Sequence, residues 1–327
     1  MIAFLIISAI LLAILQNRVL NNSLEGVEYS SVVSKKLVAP DEKFEVIITI
    51  TNKSRRFIPF IKMEHIFPEE MVMEEPKKTT TFMLPRSKYV KRIHASLPSR
   101  GSYYITSAYL HGGDFLGITE KTKNYRFVNE IVVYPKKTNE RELELMSKGI
   151  LGEISVKRFM IEDPLLTIGF REYTGREPMK HIDWNQSAKS NEIIVKQFDY
   201  TIDPSVTVIL DVTEKIEDEK VELLFSMTRT VTEQLTNMKV KFSFLTNATI
   251  LNKWYYINEN VGSEHLNVIL DLLGRATYSY SINFNSLIRS NEIEENSLVI
   301  LISSKTKADL KEEINFLNAR GIKIYLA

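Results

Sequence analysis

The sequence predicts a multidomain β plus α/β protein, with an N-terminal membrane helix, an antiparallel β-sandwich and a doubly wound α/β domain. Three observations support this prediction. An apolar run opens the chain, short alternating segments separated by proline and glycine come next, and strand-like and helix-like segments alternate after residue 205. The predicted divisions are a transmembrane anchor at 1–22, the sandwich at 23–137, a linker at 138–200 and the α/β domain at 201–327.

The composition is that of a globular protein with ordinary cores. Of its 327 residues, 44% are hydrophobic and 25% are charged. The 42 basic and 41 acidic residues leave a formal net charge of +1, which gives no general attraction for nucleic acid. The chain has no cysteine, so disulfides, thiolate metal sites and cysteine nucleophiles are excluded.

Residues 1–20 indicate a single membrane anchor. Residues 2–15 are apolar apart from Ser8, and Arg18 can extend its charge to the bilayer surface. A cleaved signal peptide is the alternative, but the sequence lacks a charged segment before the apolar run and a small-residue cleavage site after it. The positive charges follow the run, which predicts a single-pass protein of the cell membrane with its soluble domains in the cytoplasm.

Residues 25–135 have the pattern of an antiparallel sandwich. The segment KFEVIITITN at 43–52 alternates apolar and polar residues and is rich in β-branched side chains, as in a half-buried strand. Similar segments follow, separated by prolines and glycines that exclude helices and suit strand ends. These segments are FIPFIKMEHIF, TTTFML, KYVKRIHASL, SYYITSAYLH and NEIVVYP. We predict no catalytic cluster in this domain.

The pattern changes at VTVIL, residues 206–210, a continuous apolar run typical of a strand buried on both faces. An apolar segment at helical spacing follows it, and VKFSFL, SLVILI and IKIYLA predict further strands. Helices are predicted around SEHLNVILDLLG, from Ser263 to a stop at Gly274, and around KADLKEEINFLNARG, with a stop at Gly321. Strands alternating with helices predict a mainly parallel sheet. No glycine-rich loop opens a helix, so we expect no cofactor and no small-molecule substrate.

The stretch REYTGREPMKHIDWNQSAKS, residues 171–190, carries most of the reactive side chains. Between Arg171 and Asp199 five basic residues match five acidic ones, which disfavours a phosphate clamp. Internal ion pairs and hydrogen bonds at a joint between domains explain this composition better. We therefore predict a structural joint formed by Arg171, Tyr173, Gly175, Asp183, Trp184, Ser187 and Lys196.

An enzymatic alternative rests on His181 and Asp183, because a histidine beside a carboxylate can act as a general acid or base. In an extended segment, residues two apart point the same way and need not touch. Ser187 lacks the glycine-flanked turn of a serine nucleophile and more readily hydrogen-bonds the local backbone. A membrane-associated hydrolase centred on His181 and Asp183 is the resulting alternative.

A family resemblance is carried by a series of motifs in fixed order. They are RGSYYI at 100–105, GDFLGI at 113–118, VVYP at 132–135, RxYxG at 171–175, IDW at 182–184, SA at 187–188 and VKxF at 195–198. Together they resemble the bacterial family called domain of unknown function 58. The resemblance implies a membrane anchor, a β-rich domain, a von Willebrand factor A-like domain and a MoxR-type AAA+ ATPase as partner. The chain departs from the family at Arg176, where an acidic residue is usual, and in showing one membrane span where many members show two.

The resemblance also implies a metal-binding motif that this chain has altered. In von Willebrand A domains, a D-x-S-x-S motif after the first strand binds Mg²⁺ through hard oxygen ligands, joined by a threonine and a later aspartate. Here the motif reads DVTEK, and Ser303 and Ser304 stand near the position of the later aspartate. Because a lysine ammonium repels or replaces a cation, we expect no metal at the degenerate positions Asp211, Thr213, Lys215 and Ser304.

The leading hypothesis is a non-enzymatic, membrane-tethered scaffold whose α/β domain binds a protein partner, with a MoxR-type AAA+ ATPase suggested by the resemblance. Open parallel sheets present ligand sites at the carboxyl ends of their strands, which places the partner surface at 211–217, 245–252 and 303–307. A metal-dependent adhesion module outside the cell is a second alternative to this hypothesis.

Overall fold

The computed structural model describes residues 24–113, 120–138, 162–175, 179–190, 192–200, 206–213, 217–290, 292–295 and 297–326, together with seven residues between Phe4 and Ile14. The chain is a mixed β and α protein with several sheets. It divides into a first unit, Met1–Lys136 with Leu270–Arg275, and a second unit, Lys137–Ile269 with Ala276–Ala327.

The first unit consists of two sheets with the strand orders β1-β3-β7-β5 and β2-β9-β8-β4-β6. The strands are β1 (Val27–Val33), β2 (Leu37–Val38), β3 (Phe44–Asn52), β4 (Ile58–Ile66), β5 (Val72–Met73), β6 (Lys78–Met83), β7 (Lys88–Ser96), β8 (Gly101–Gly113) and β9 (Glu120–Val133). The pairings are antiparallel except for the short parallel contact of β2 with β9. This arrangement agrees with the predicted antiparallel β-rich domain.

Alternating side chains build the core of the first unit. Along β3 every second residue is buried, as its period of two requires. The buried residues of β3 and β7 share one apolar cluster with those of β4, β8 and β9, so the two sheets enclose a common core. The strand prediction from the alternating segments is confirmed.

The second unit is built around a five-stranded sheet with the order β14-β13-β12-β15-β16. Its strands are β12 (Val206–Asp211), β13 (Phe242–Ile250), β14 (Lys253–Asn260), β15 (Leu298–Ser303) and β16 (Lys323–Leu326). Its longer helices are α2 (Asp218–Asn237) and α5 (Lys311–Ala319), with the short α4 (Phe284–Ile288) before β15. Helix α3 (Ser263–Arg275) belongs to the second unit up to Ile269 and to the first unit from Leu270. Four strands are mutually parallel and β14 is an antiparallel edge strand.

Both faces of this sheet are covered. Every residue of β12 and of β15 is buried, which explains why both read as continuous apolar runs. The chain passes from β12 to β13 on one side, and later returns to β15 on the other side of β12. Strand β12 is therefore the point at which the strand order reverses.

Two helix ends test the glycine predictions. Helix α5 ends before Gly321, whose positive φ of 75° favours glycine, and this prediction is confirmed. The stop predicted at Gly274 is wrong, because α3 continues through it to Arg275. A Cβ at Gly274 would lie 2.4 Å from Cγ1 of Val132, so this glycine serves close packing within the first unit.

The linker prediction omitted regular structure that the fold contains. Strands β10 (Glu162–Glu172) and β11 (Ile194–Tyr200) form an antiparallel ribbon, and helix α1 (Trp184–Ser190) lies in the connection between them. The predicted surface loop at 245–252 is also mostly strand, because β13 continues to Ile250. Only Leu251 and Asn252, both with positive φ, form the turn into β14.

Most of the predicted membrane anchor, 1–22, lies outside the described residues. Its seven described residues are helical and exposed, and six of them carry apolar side chains. Where the structure describes the chain, no helix is both long enough and apolar enough to span a bilayer. The anchor stays a prediction.

Candidate functional site

The candidate site lies where β12 ends between its two neighbours. Asp211 is the last residue of β12, Asn247 lies beside it on β13, and Ser303 is its register partner on β15. In open α/β sheets, ligands bind outside the carboxyl ends of the strands at the point where the order reverses. The three side chains therefore mark the position in this sheet where a site is expected.

Both carboxylate oxygens of Asp211 are engaged, and the residue is fully buried. Asn247 donates from Nδ2 to Oδ1 at 2.9 Å, and the Ser303 hydroxyl donates to Oδ2 at 2.9 Å. The ammonium of Lys305 lies 3.2 Å from Oδ2. A buried carboxylate needs such hydrogen bonds and a countercharge, since its desolvation is otherwise very costly.

Asn247 also fixes the backbone that follows Asp211. Its Oδ1 accepts a hydrogen bond from the N–H of Val212 at 2.7 Å, and its Nδ2 donates to the Val212 carbonyl at 3.0 Å. One buried amide therefore holds both the carboxylate and the start of the next loop. The amide side chain within the strand FSFLTNATI is the sequence signal of this role.

Lys305 is held in place by its surroundings. Its backbone N–H donates to the Ser303 hydroxyl at 3.2 Å, and its ammonium lies 5.1 Å from the centroid of the Phe284 ring. The following turn is closed by Thr306, whose backbone N–H and hydroxyl both donate to the Asp309 carboxylate. The lysine is thus held over the carboxylate and is 30% exposed.

This donor set does not suit a divalent cation. A Mg²⁺ ion demands several oxygen ligands at about 2.1 Å in octahedral geometry. Here an ammonium occupies the approach to Oδ2, and its like charge would repel a second cation at that distance. Thr213 and Ser304 place their hydroxyl oxygens 3.3 Å apart near the end of the sheet, where they bond to each other.

The lysine that neutralises Asp211 in the structure differs from the one that the sequence predicted. Lys215 was expected to supply the ammonium, but it lies outside the described residues. The observed cation is Lys305, which the sequence prediction did not include among the site residues. Of the other predicted positions, Asp211, Thr213 and Ser304 do lie together at the same edge.

The predicted joint residues form a local hydrogen-bonded unit between β10 and β11. The Asp183 carboxylate accepts from the N–H groups of Asn185 and Gln186 at 3.0 Å each, which caps α1. These bonds, led by that from Gln186, and the nearby Lys196 charge lower the pKa of Asp183. The Lys196 ammonium lies 3.6 Å from the same carboxylate.

Ser187 connects the helix to the ribbon. Its hydroxyl donates to the Asp183 carbonyl at 2.7 Å and accepts from the N–H of Ile194 at 2.8 Å. Tyr173 joins the same unit through its backbone N–H, which donates to the Ile193 carbonyl at 2.8 Å. The serine hydroxyl is thus used, as donor and as acceptor, in holding the backbone.

The remaining joint residues are more exposed. Arg171 bonds the adjacent Glu172 carbonyl at 3.3 Å, Gly175 adopts a positive φ of 85°, and Trp184 is 60% exposed. The expectation of an extended segment around His181 is wrong, because Met179–His181 is a 3₁₀ turn. The Asp183 carboxylate is directed to the start of α1.

Fold and site together define a two-unit protein, with a mainly antiparallel β unit and an α/β unit that carries a neutralised, buried carboxylate at its switch-point edge. No protein-family model matches the chain. It is 22% identical over 199 residues to the uncharacterized protein YeaD of Bacillus subtilis strain 168. That match covers 58% of this chain and 48% of YeaD, so the chain spans about half the length of this relative.

Solved structures give only weak likenesses. A fragment of Escherichia coli alpha-2-macroglobulin, from domain MG7 to the C-terminus, is 15% identical with a TM-score of 0.28, over 35% of this chain and 17% of that one. The CARDB domain of the PF1109 protein from Pyrococcus furiosus, solved with di-metal ions, is 16% identical with a TM-score of 0.23, over 33% and 90%. At such TM-scores neither likeness bears on the function of this chain.

Proposed function

We propose that the chain is a non-enzymatic, membrane-tethered scaffold whose second unit binds a protein partner at the carboxyl edge of its parallel sheet. The observation that carries the proposal is the saturated environment of Asp211. Its oxygens are engaged by Asn247, Ser303 and Lys305, which leaves a fixed surface in place of a metal or catalytic carboxylate.

The strand arrangement supports a von Willebrand factor A-like second unit. The resemblance implies a doubly wound α/β domain, and the order β14-β13-β12-β15-β16 is that of a mainly parallel sheet with one antiparallel edge strand. The Asp211 position after the first strand fits the resemblance as well. Membership of the family called domain of unknown function 58 is part of this proposal.

The edge offers polar, accessible side chains next to the fixed carboxylate. Ser304, Thr306 and Lys307 are exposed, and the turn that carries them is closed by Asp309. Hydrogen bonds donated by Thr306 lower the pKa of Asp309, which keeps this closing carboxylate ionised. A preformed turn loses little conformational entropy when a partner binds to it.

The bonding of the joint residues does not favour the hydrolase alternative. Asp183 caps α1 and faces Lys196, and the Ser187 hydroxyl is bonded to backbone on both sides. A triad would need the serine proton directed to a base. The metal-dependent adhesion alternative is disfavoured in turn by the Lys305 ammonium at Asp211.

The resemblance makes a MoxR-type AAA+ ATPase the proposed partner, and a charge reversal at the edge tests it. Lys307→Glu, at the carboxyl edge, should reduce co-purification of the partner from membranes about tenfold or more, because like-charge contacts in an interface cost several kcal/mol. Lys241→Glu is the matched control, since Lys241 is also exposed and precedes β13 at the opposite edge.

The co-purification should be run with and without a slowly hydrolysed ATP analogue, so that a nucleotide-dependent complex is retained. Loss in Lys307→Glu with retention in Lys241→Glu supports the proposal. If the unmodified chain and both variants recover an ATPase equally, the proposed surface is wrong. If none of them recovers an ATPase with or without the analogue, the proposed partner is wrong.

A further inference from the structure

One end of the first unit combines positive charge with exposed apolar side chains. We define the basic end as residues 24–26, 53–57 and 82–88. Register places these segments together, because Val27 pairs with Asn52 and Ile58 pairs with Met83. The chain enters the first unit here, shortly after the apolar stretch at 2–15.

A buried asparagine ties the two turns of the basic end to each other. Asn52 donates from Nδ2 to the carbonyls of Arg56, at 2.8 Å, and Leu84, at 2.9 Å. The backbone N–H of Arg86 donates to the Ser54 carbonyl at 3.0 Å, and that of Lys53 to the Gly26 carbonyl at 2.8 Å. The segments of the basic end are thus joined by hydrogen bonds into one surface.

The charge of this surface is strongly positive. Its basic residues are Lys53, Arg55, Arg56, Arg86 and Lys88, and its acidic residue is Glu25. Arg56 pairs with Glu25 at 2.9 Å, and Lys53 pairs with Glu28 on β1. Arg55, Arg86 and Lys88 have no carboxylate partner among the residues that the structure describes.

The opposite end of the same unit has no such excess of positive charge. Its segments 34–43, 67–77, 97–100 and 134–136 hold six acidic residues, Asp41, Glu42, Glu69, Glu70, Glu74 and Glu75, and six basic ones, Lys35, Lys36, Lys43, Lys77, Arg100 and Lys136. The excess of cations is therefore a property of the basic end, the end at which residue 24 enters the unit.

Apolar side chains project from the same positive surface. Phe57 is 43% exposed, Phe82 is 59% exposed and Leu84 is 56% exposed, and the two phenylalanine rings lie 6.1 Å apart. Large apolar groups set among cations match the interfacial region of a bilayer, where acyl chains lie beneath charged headgroups. Nucleic acid offers phosphates but no comparable layer for three aliphatic and aromatic tips.

We infer that the basic end docks on the surface of an anionic lipid bilayer, with Phe57, Phe82 and Leu84 inserted among the lipids. The orientation rests on the proposed membrane tether, which brings residue 24 to the bilayer. Lipid contact itself rests on the charge and apolar exposure of the basic end. Docking would fix the orientation of the first unit on the membrane, which a tether alone does not do.

A fluorescent probe at the basic end tests the inference in the full chain. Because the chain has no cysteine, Leu84→Cys and Ser99→Cys each provide a single labelling site, the second at the opposite end of the first unit. Each chain is labelled with an environment-sensitive nitrobenzoxadiazole dye and reconstituted into phosphatidylcholine bilayers with or without phosphatidylglycerol. We expect a blue shift, and quenching by spin-labelled lipid, only at residue 84 and only with phosphatidylglycerol.

Variants that remove positive charges then test whether docking depends on the charge of the basic end or only on its closeness to the bilayer. Arg55→Gln with Arg86→Gln should reduce the ratio of docked to undocked chains about 25-fold, at about fivefold for each cation. Lys36→Gln with Lys136→Gln, both exposed and outside the basic end, should change it less than twofold. The inference is overturned if the dye at residue 84 emits at the same wavelength as the dye at residue 99. It is also overturned if the emission at residue 84 changes neither with phosphatidylglycerol nor with the replacement of the two arginines.

Failure of the tether is recognised separately. A chain that is washed from neutral bilayers by alkaline carbonate is not anchored, which contradicts the proposed tether. The same labelled chain added to anionic vesicles would still show the shift at residue 84 if the basic end binds lipid. An anchored chain without that shift retains the tether and loses the docking surface.

Discussion

Replacing Lys305 with methionine should lower the free energy of unfolding of the second unit by about 3 kcal/mol. Methionine keeps the length of the side chain but removes the ammonium 3.2 Å from the buried Asp211 carboxylate. Breaking a buried ion pair from one side costs about 3–5 kcal/mol, and the partial exposure of Lys305 places this pair at the lower end. Asn247 and Ser303 alone would then have to stabilise the charge.

Urea unfolding followed by tryptophan fluorescence measures this effect, because both tryptophans, Trp184 and Trp254, lie in the second unit. Lys307→Met, on the same turn but exposed, should change stability by less than about 0.5 kcal/mol. The double variant Asp211→Asn with Lys305→Met should recover most of the loss, since no charge remains buried. A single Lys305→Met variant as stable as the unmodified chain would show that the pair is not stabilising the edge.

Replacing His65 with phenylalanine should remove an acid sensitivity of the first unit. His65 is 6% exposed on β4, with its ring stacked on Phe67 and near Tyr29, and its Nε2 has no hydrogen-bond partner among the described residues. Burial, with a smaller contribution from the charge of Lys91, lowers the pKa of His65 to about 4. A phenylalanine fits the same aromatic surroundings and cannot titrate.

The direction in which stability changes with pH follows from the lowered pKa of His65. Between about pH 6.5 and 4 the unfolded chain binds a proton at this residue and the folded chain does not, so stability falls as pH falls. The loss reaches about 2 kcal/mol at pH 5 and about 3 kcal/mol below pH 4. His65→Phe should therefore match the unmodified chain within about 1 kcal/mol at pH 7 and exceed it by about 2 kcal/mol at pH 5.

The first unit contains no tryptophan, so its unfolding is the transition that circular dichroism detects without a change in tryptophan fluorescence. His94→Gln is the control of opposite sign, because the hydrogen bond to Glu75 raises the pKa of His94. Its contribution is present below about pH 6.5 and is lost as pH rises through the raised value. If the first unit of His65→Phe loses as much stability at acid pH as the unmodified chain, another group causes the acid sensitivity.

Patterns that depend on burial were predictable from the sequence, and patterns that depend on pairing were not. β3 alternates and β12 is continuously apolar, since each burial state leaves its own sequence period. Strand β14 was missed because no residue of KWYYINEN is buried and its conformation depends on pairing with β13. Gly274 was taken for a helix stop because the sequence alone does not distinguish a glycine required for close packing from one required for a turn.

The candidate site was predictable only in part for the same reason. The metal motif implied by the family resemblance singled out Asp211, Ser303 and Ser304, and the rule that ligand sites lie at strand ends placed the three on one surface. The partner choice was not predictable, because Lys305 reaches Asp211 across a sequence separation that no local spacing encodes. Asn247 gave a usable signal, an amide side chain within the strand FSFLTNATI, but its role became clear only with the neighbouring strand in place.

Calorimetric titration of the whole chain with Mn²⁺, beside the Asp211→Asn variant, tests most directly whether the edge acts without a metal ion. We predict no binding heat that depends on Asp211, because the Lys305 ammonium already neutralises the buried carboxylate. Saturable binding to the unmodified chain that disappears in Asp211→Asn would contradict this account.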